Sequence, residues 1–165
     1  MPLATIQITL TPDEREALAL EKTMDAYSHA WDYAARIGRQ IGTTSNMIIH
    51  RHCYVALRRT YGLSANLAIR AIARAARELK RLPDAEQRAA VPRGVDYDPR
   101  VCSLAPDLST VSLSTVEGRL RHISAHVEDG ERQLLLEHSW VRAMLQKASA
   151  GHYALHFEVD TEVDT

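Results

Sequence analysis

The chain has 165 residues, of which 45% are hydrophobic, and its formal net charge is −1. That length suits one domain of ordinary size or two small ones, and the hydrophobic content is enough to form a core. No segment approaches the roughly 20 consecutive apolar residues of a membrane span, and the N-terminal segment MPLATIQITL lacks a signal-peptide cleavage site. We therefore expect a cytoplasmic protein that does not enter a membrane.

The first predicted elements are a strand and a long helix. Apolar and polar residues alternate over Ala4–Leu10, which is typical of a half-buried strand. Thr11 and Glu14 have the spacing of a capping box, with Pro12 at the first helical position. The helix is expected to run to about Gly38.

A second helix is predicted from about Ser45 to Tyr61, and its apolar side is expected to carry Ile48 or Ile49, His52, Val55 and Leu57. A third helix is predicted within the stretch Leu63–Arg81, from Ser64, its N-cap, to Arg81. With a rotation of about 100° per residue, the apolar and the basic residues of this helix fall on opposite sides. The expected core side carries Ile69, Ile72, Ala73, Ala76 and Leu79. The opposite side carries an arginine stripe, defined as Arg70, Arg74, Arg77 and Arg81, with Asn66 at its edge.

Basic residues are concentrated between Arg36 and Arg93. That segment has twelve Lys or Arg against three acidic residues, a net charge of +9, whereas the remainder of the chain has a net charge of −10. Acidic partners at helix spacing, which would neutralise the arginine stripe, are nearly absent. The pattern favours contact with a nucleic-acid backbone. A solvated surface and an acidic protein partner are the alternative interpretations.

The C-terminal half is predicted to be mainly strands. Asp84–Gly94 contains two prolines and alternating charge, and it is interpreted as a connector. A hairpin is expected around the turn pair Glu117-Gly118, because Val111 and Leu113 alternate before it and Leu120 and Ile123 resume a strand-like pattern after it. Another turn is expected at Glu128–Gly130, and the apolar segment Leu134–Lys147 is interpreted as a strand followed by a short helix. His152–Val163 alternates and predicts a final strand.

A lone first strand, a block of helices and a late run of strands together predict an α+β fold. We expect a small antiparallel β-barrel, of the oligonucleotide-binding kind, with a helical bundle inserted after the first strand. Residues 1–11 and 92–165 would form the barrel, and residues 12–91 would form the helical domain with its connector. Ile6 and Ile8 should then pack against the C-terminal sheet.

The predicted second helix also raises the question of a metal site. His50 and Cys53 would share a helix face, but a zinc site needs about four ligands and the only other cysteine is Cys102. We therefore expect free buried thiols, no metal and no cofactor. The more economical interpretation is a basic, hydrogen-bonding surface that combines the arginine stripe with Asn46, His50, Arg51 and Arg58.

Five segments of the chain together resemble a known family. They are NMIIH (46–50), YVALR (54–58), YGLSANLAIRAI (61–72), VDYDPR (95–100) and VSLSTVEGRL (111–120). Their succession looks like the N-terminal half of TnpB proteins, which are RNA-guided nucleases encoded by insertion-sequence transposons and are related to type V CRISPR effectors. The similarity runs from about Ile6 to Val163.

The resemblance implies a wedge domain, built as a small barrel from the first strand and the segment after about Val95, with a helical recognition domain inserted. In that family the two domains hold a guide RNA and read a short motif beside the DNA target. A RuvC-like nuclease domain follows the wedge and would begin at about Thr165, so the chain is expected to be a fragment or a truncated or split form without nuclease activity. A separately encoded nuclease domain or another protein is then a further expected partner.

The resemblance also implies roles for individual residues. Asn66 matches a position near the target-flanking DNA, and Arg119 follows the Glu-Gly turn as a wedge residue that faces RNA. No catalytic residue is expected in the chain, and Asp160, Glu162 and Asp164 are interpreted as a solvated edge. The candidate nucleic-acid-binding residues are Asn46, His50, Arg51, Arg58, Asn66, Arg70, Arg74, Arg77, Arg81 and Arg119.

Three classes of function are therefore compared. The preferred one is binding of guide RNA, double-stranded DNA or both by a TnpB-like protein part without nuclease activity. The alternative is a protein-interaction or regulatory module that keeps the fold without RNA binding, which the acidic barrel favours. A small enzyme is disfavoured, because the sequence contains no nucleophile motif, Gly-rich phosphate loop or HExxH spacing.

Overall fold

The protein has an α+β fold, as predicted, seen in a computed structural model that describes residues 3–81, 94–149 and 151–161. The described helices are α1 (Glu14–Ile41), α2 (Asn46–Arg59), α3 (Ala65–Arg81) and α4 (Asp129–Glu137). The described strands are β1 (Leu3–Leu10), β2 (Val95–Tyr97), β3 (Cys102–Leu104), β4 (Thr110–Thr115), β5 (Gly118–Val127), β6 (Trp140–Ser149) and β7 (His152–Asp160). Three consecutive helices follow the first strand, which confirms the predicted helical insertion.

The seven strands form one sheet in the order β2-β6-β7-β1-β5-β4-β3. The first strand lies at its centre. It pairs antiparallel with β7 along its whole length, from Leu3 opposite Asp160 to Leu10 opposite Tyr153. On its other side it pairs antiparallel with β5 from Ile8 opposite Val127. The prediction that β1 joins the C-terminal sheet is confirmed.

The two edges of the sheet approach each other and make it nearly a closed barrel. The hydroxyl of Tyr97, at the end of β2, donates a 2.7 Å hydrogen bond to the Ser114 carbonyl oxygen of β4. The backbone N–H of Ser114 donates to the Val101 carbonyl oxygen just before β3. Burial raises the pKa of the enclosed Tyr97 phenol. Inward-facing residues of the central strands fill the interior, including Ile6, Ile8, Leu155, Phe157 and Val159.

The predicted hairpin is β4 and β5, and it contains a β-bulge. Leu120 pairs with Leu113 and Ile123 pairs with Val111, so β5 has one extra residue between them. That residue accounts for the interrupted alternation of apolar residues in the sequence. His122 lies in the bulge with φ at 60°, and its N–H donates to the Ser112 hydroxyl at 3.1 Å.

The predicted order of elements in Leu134–Lys147 was wrong. The expected turn at Glu128–Gly130 instead begins α4, and the strand β6 follows this helix. Leu135 is the buried residue of α4. A carboxylate oxygen of Glu131 accepts a hydrogen bond from the Gln7 N–H at 3.3 Å, which holds α4 beside β1.

The start of α1 also differs from the prediction. The capping box is formed by Asp13 and Glu16, not by Thr11 and Glu14, because Asp13 Oδ1 accepts from the Glu16 N–H at 2.8 Å. The Glu16 carboxylate in turn accepts from the Asp13 N–H at 2.9 Å. The helix extends three residues beyond Gly38. Its buried side includes Leu20, Tyr27, Trp31, Ala34 and Ala35.

Two compact units make up the chain. We call Met1–Leu20 with Asp96–Thr165 the barrel unit and Glu21–Val95 the helical unit. The domain boundary predicted from the sequence, between residues 91 and 92, lies outside the described residues. The predicted connector also lies outside them, except for Gly94. None of the helices in the described ranges combines the length and apolar character that crossing a membrane requires.

Candidate nucleic-acid interface

The exposed side of α2 is set by the spacing of its buried residues. Ser45 caps the helix, with its hydroxyl oxygen accepting a 3.3 Å hydrogen bond from the Ile48 N–H. Ile49, Cys53 and Leu57, four residues apart, form the buried side. The expectation that His52 and Val55 are core residues was therefore wrong. Val55 is 61% exposed.

The core side of α3 is rotated from the predicted one. Ser64 caps this helix through a 3.3 Å hydrogen bond from the Leu67 N–H. Ile72, Ala76 and Leu79 are buried as expected, but Ile69 is 46% exposed. The buried side is Leu67, Ala68, Ala71, Ile72, Ala75, Ala76 and Leu79. Small residues dominate this side, and it packs against α2.

Positive charge is concentrated on α2 and α3. Together these helices contain eight Lys or Arg and a single acidic residue, Glu78. The helical unit as a whole has a net charge of +7 and the barrel unit has −8. The helical unit therefore carries the positive electrostatic potential that attracts polyanions.

The four members of the arginine stripe have different surroundings. Arg77 is exposed and Arg70 is half-buried. The Arg81 guanidinium is 3.1 Å from a carboxylate oxygen of Glu78, and its side chain stays 69% exposed. The Arg74 guanidinium donates a 3.1 Å hydrogen bond to the carbonyl oxygen of Gly94. Arg74 therefore fixes the chain after α3, whereas Arg77 and Arg81 present charge to solvent.

The two asparagines of the predicted site also differ in accessibility. Asn46 is exposed at the first turn of α2. Asn66 is half-buried on α3, and its side-chain oxygen is fully buried. Reading a base through an amide needs both the oxygen and the nitrogen. In this conformation Asn66 does not present its oxygen to a ligand.

Three side chains along α2 form an ordered column, which we call the aromatic column: His50, Tyr54 and Arg58. The rings of His50 and Tyr54 are stacked, with centroids 4.6 Å apart and an interplanar angle of 22°. The Arg58 guanidinium donates to the Tyr54 hydroxyl at 3.3 Å and to the Leu63 carbonyl oxygen at 3.0 Å. Arg58 therefore links the column to the turn between α2 and α3.

Sequence reasoning missed three residues of this surface. Tyr54 was not selected, although it is four residues from both His50 and Arg58 and so must share their side of the helix. Arg59 and Lys80 are exposed cations on α2 and α3 that lie outside the predicted stripe. Exposed Arg51 completes the basic residues of the outer side of α2.

Arg119 belongs to the barrel unit, whereas the residues above belong to the helical unit. It is exposed on β5 opposite Ser114. Its guanidinium donates a 3.0 Å hydrogen bond to the Ser103 hydroxyl of β3. Arg119 therefore bridges the exposed face of the β3-β4-β5 part of the sheet.

The residues considered for a metal site have different surroundings. His50 is engaged in the aromatic column, while Cys53 faces the core, where burial raises the pKa of its thiol to about 11. Cys102 is a second buried free thiol, in the barrel unit. Across the described ranges, no three His, Cys, Asp or Glu side chains are grouped so that they could hold a metal ion.

Comparison with known proteins does not add a family to these observations. No protein-family model matches the chain, and no match is found among curated proteins.

Proposed function

We propose that the helical unit binds the sugar-phosphate backbone of nucleic acid through α2 and α3. The observation that carries the proposal is the ratio of eight cationic side chains to one carboxylate on these two helices. Arg51, Arg58, Arg59, Arg77, Lys80 and Arg81 are exposed among them. Each exposed arginine can neutralise one phosphate and release its counterions.

An ordinary solvated surface is the main competing explanation. Solvated helices commonly balance their cations with acidic residues three or four positions away. On α2 and α3 only Glu78 is available for that purpose, and it pairs with Arg81. The remaining cations exceed what a single carboxylate can balance, which favours an external anion.

We also propose that this binding belongs to a TnpB-like protein, with guide RNA, target-flanking double-stranded DNA or both as partners. The support is the succession of five segments described above, together with a barrel-like sheet and helices that follow its first strand. The proposed role is binding without cleavage. Arg119 would be the contribution of the barrel unit.

The test compares two triple variants that remove the same charge. Arg51→Gln/Arg77→Gln/Arg81→Gln changes exposed cations of the helical unit. The control, Arg15→Gln/Arg100→Gln/Lys147→Gln, changes exposed cations of the barrel unit. Affinity for RNA and DNA oligonucleotides is measured by fluorescence anisotropy over a range of salt concentrations.

We expect the helical-unit variant to bind all sequences more weakly. The slope of log affinity against log salt should become shallower by roughly 2 to 3, at about 0.7 to 0.9 for each lost phosphate contact. The control should keep the parental slope. If the two variants bind with equal affinity and equal slopes, the basic surface of α2 and α3 is not the binding site.

A protein-interaction function is the second candidate. The net charge of −8 on the barrel unit favours it, together with Leu136 and Val141 of that unit, which are exposed large apolar residues. Co-purification separates the two functions. RNA that co-purifies with the chain and dissociates at high salt supports nucleic-acid binding. The absence of RNA, together with a stoichiometric protein partner, supports the protein-interaction function.

A further inference from the structure

The aromatic column of α2 carries chemistry beyond phosphate neutralisation. An arginine surface needs no aromatic rings to bind a backbone, yet His50 and Tyr54 are stacked in its midst at 4.6 Å. We propose that the outer face of His50 stacks an unpaired nucleobase, so that the preferred ligand is single-stranded nucleic acid. This inference rests on the proposed function.

The column is held in place from one end. Arg58 donates both to the turn carbonyl of Leu63 and to the Tyr54 hydroxyl, and its guanidinium carbon is 6.0 Å from the Tyr54 ring centroid. Three successive contacts therefore fix the ring planes before any ligand arrives. A fixed ring loses less conformational entropy when a base binds to it.

The other end of the column is His50, whose side chain is half-buried. Helical side chains lean toward the N-terminus of their helix, so His50 lies on the N-terminal side of Tyr54. The first turn of α2 beyond it exposes Asn46 and Met47, and Met47 is 68% exposed. In the described part of the chain, Tyr54 is the one ring that stacks on His50. One ring face therefore remains for an additional aromatic group.

A nucleobase fits this position better than other aromatic groups. The surrounding α2 has three arginines and no acidic residue, so a ligand that carries phosphates beside its ring is favoured. The interior bases of a duplex are already stacked on both faces, whereas an unpaired base can turn outward. Stacking on a protein ring depends little on sequence, because every base has a π face.

The competing explanation is that His50 and Tyr54 only stabilise α2 as an i,i+4 pair. The two explanations differ in what a ligand without bases would do. An abasic oligonucleotide keeps every phosphate but offers nothing to stack. The full chain is therefore titrated with an oligo-deoxyadenosine of about 12 nucleotides and with an abasic strand of the same length.

We expect the parent chain to bind the deoxyadenosine strand about tenfold more tightly than the abasic strand, a difference that one stacked base can supply. His50→Ala should bring that ratio close to one, and His50→Phe should restore it because the ring is retained. His52→Ala is the matched control, since His52 is an exposed histidine of the same helix, and it should keep the parental ratio.

The outcomes distinguish the stacking inference from the proposed backbone binding. If both strands bind the parent equally and with steep salt dependence, the stacking inference is overturned and backbone binding stands. If neither strand binds, both fail. Circular dichroism checks that His50→Ala is folded. The parental ratio in a folded His50→Ala chain would overturn the stacking inference, and a ratio near one for the parent overturns it whether or not that variant folds.

Discussion

The close packing of the helical unit makes a sharp prediction at Gly38 of α1. A Cβ atom added there would lie 2.5 Å from Cδ1 of Leu79 and 3.1 Å from Cδ1 of Ile49. It would also lie 3.2 Å from the backbone oxygen of Thr43, which cannot move as a side chain can. A methyl group at this position therefore requires the side chains of Leu79 and Ile49 to move and the backbone at Thr43 to give by a few tenths of an ångström. We expect Gly38→Ala to destabilise the helical unit.

Two opposing terms set the size of the effect. Forcing a methyl group into a filled space costs about 1 to 3 kcal/mol. Replacing glycine with alanine inside a helix returns about 1 kcal/mol. The expected net loss in the free energy of unfolding is therefore up to about 2 kcal/mol. Gly130→Ala in α4 is the matched control, because nothing lies within 4 Å of its added Cβ. The control should show the favourable term alone.

Urea unfolding followed by circular dichroism measures both variants. In a Trp140→Phe background, the fluorescence of buried Trp31 reports on the helical unit itself. A loss of 1 kcal/mol moves the urea midpoint by roughly 0.5 to 1 M. If Gly38→Ala proves as stabilising as Gly130→Ala, then α1, α2 and α3 do not meet at Gly38 as described.

Three further predictions concern other parts of the chain. His122→Gly should raise the free energy of unfolding by up to about 1 kcal/mol, because glycine adopts the positive φ of the bulge without strain; His126→Gly on the same strand should lower it. Burial raises the thiol pKa from 9.0 to about 11 for Cys53 and to about 12 for Cys102. Both thiols therefore ionise more readily in the unfolded chain, so their stabilising contribution should be complete below pH 9 and decline toward pH 11 to 12 in urea unfolding. The purified chain should leave single- and double-stranded DNA intact with Mg²⁺ in a gel assay.

These predictions can each fail in a specific way. Equal losses from His122→Gly and His126→Gly would mean that the bulge stores no strain. A decline above pH 9 that is unchanged when Cys53 is replaced by alanine would assign the effect to other groups. Cleavage that survives rigorous purification and needs Mg²⁺ would contradict a binding-only role.

The strands were easier to predict from the sequence than the contacts that the helices make. In β7 the large apolar residues Tyr153, Leu155, Phe157 and Val159 occupy every second position, and a period of two has few other interpretations. The same alternation identified β1 and β4. Pairing of β1 with distant strands followed from its isolation in the chain order. The segment of α4 and β6 failed because the periodicity of its apolar residues does not distinguish a helix from a strand.

The rotated core side of α3 shows why periodicity has limits. Six alanines lie around this helix, and alanine fits either a core or a surface. The predicted core side of α3 therefore depended on Ile69 and Ile72, and only Ile72 is buried. The side of α3 that is buried in the structure contains Leu67 and the small residues that allow α2 to approach.

The candidate site was predictable as a set of charges but not as a set of contacts. Helical spacing alone placed the arginine stripe on one side of α3. The hydrogen bonds of Arg74 to Gly94 and of Arg58 to Leu63 depend on where two turns direct their carbonyl oxygens. Such positions are set by tertiary packing and have no periodic signal. The sequence therefore could not separate arginines that fix the chain from those that face solvent.

The central position of β1 has a consequence for how the chain is synthesised. Its register joins Leu3 to Asp160 and Leu10 to Tyr153, so its main pairing strand leaves the ribosome long after β1 does. By contrast, α2 and α3 contact each other across a short turn. Local contacts form faster than distant ones, so the helices are expected to pack first during vectorial synthesis. Until β5 and β7 emerge, β1 has two unpaired edges, which makes the nascent chain a natural client for chaperones that shield exposed strands.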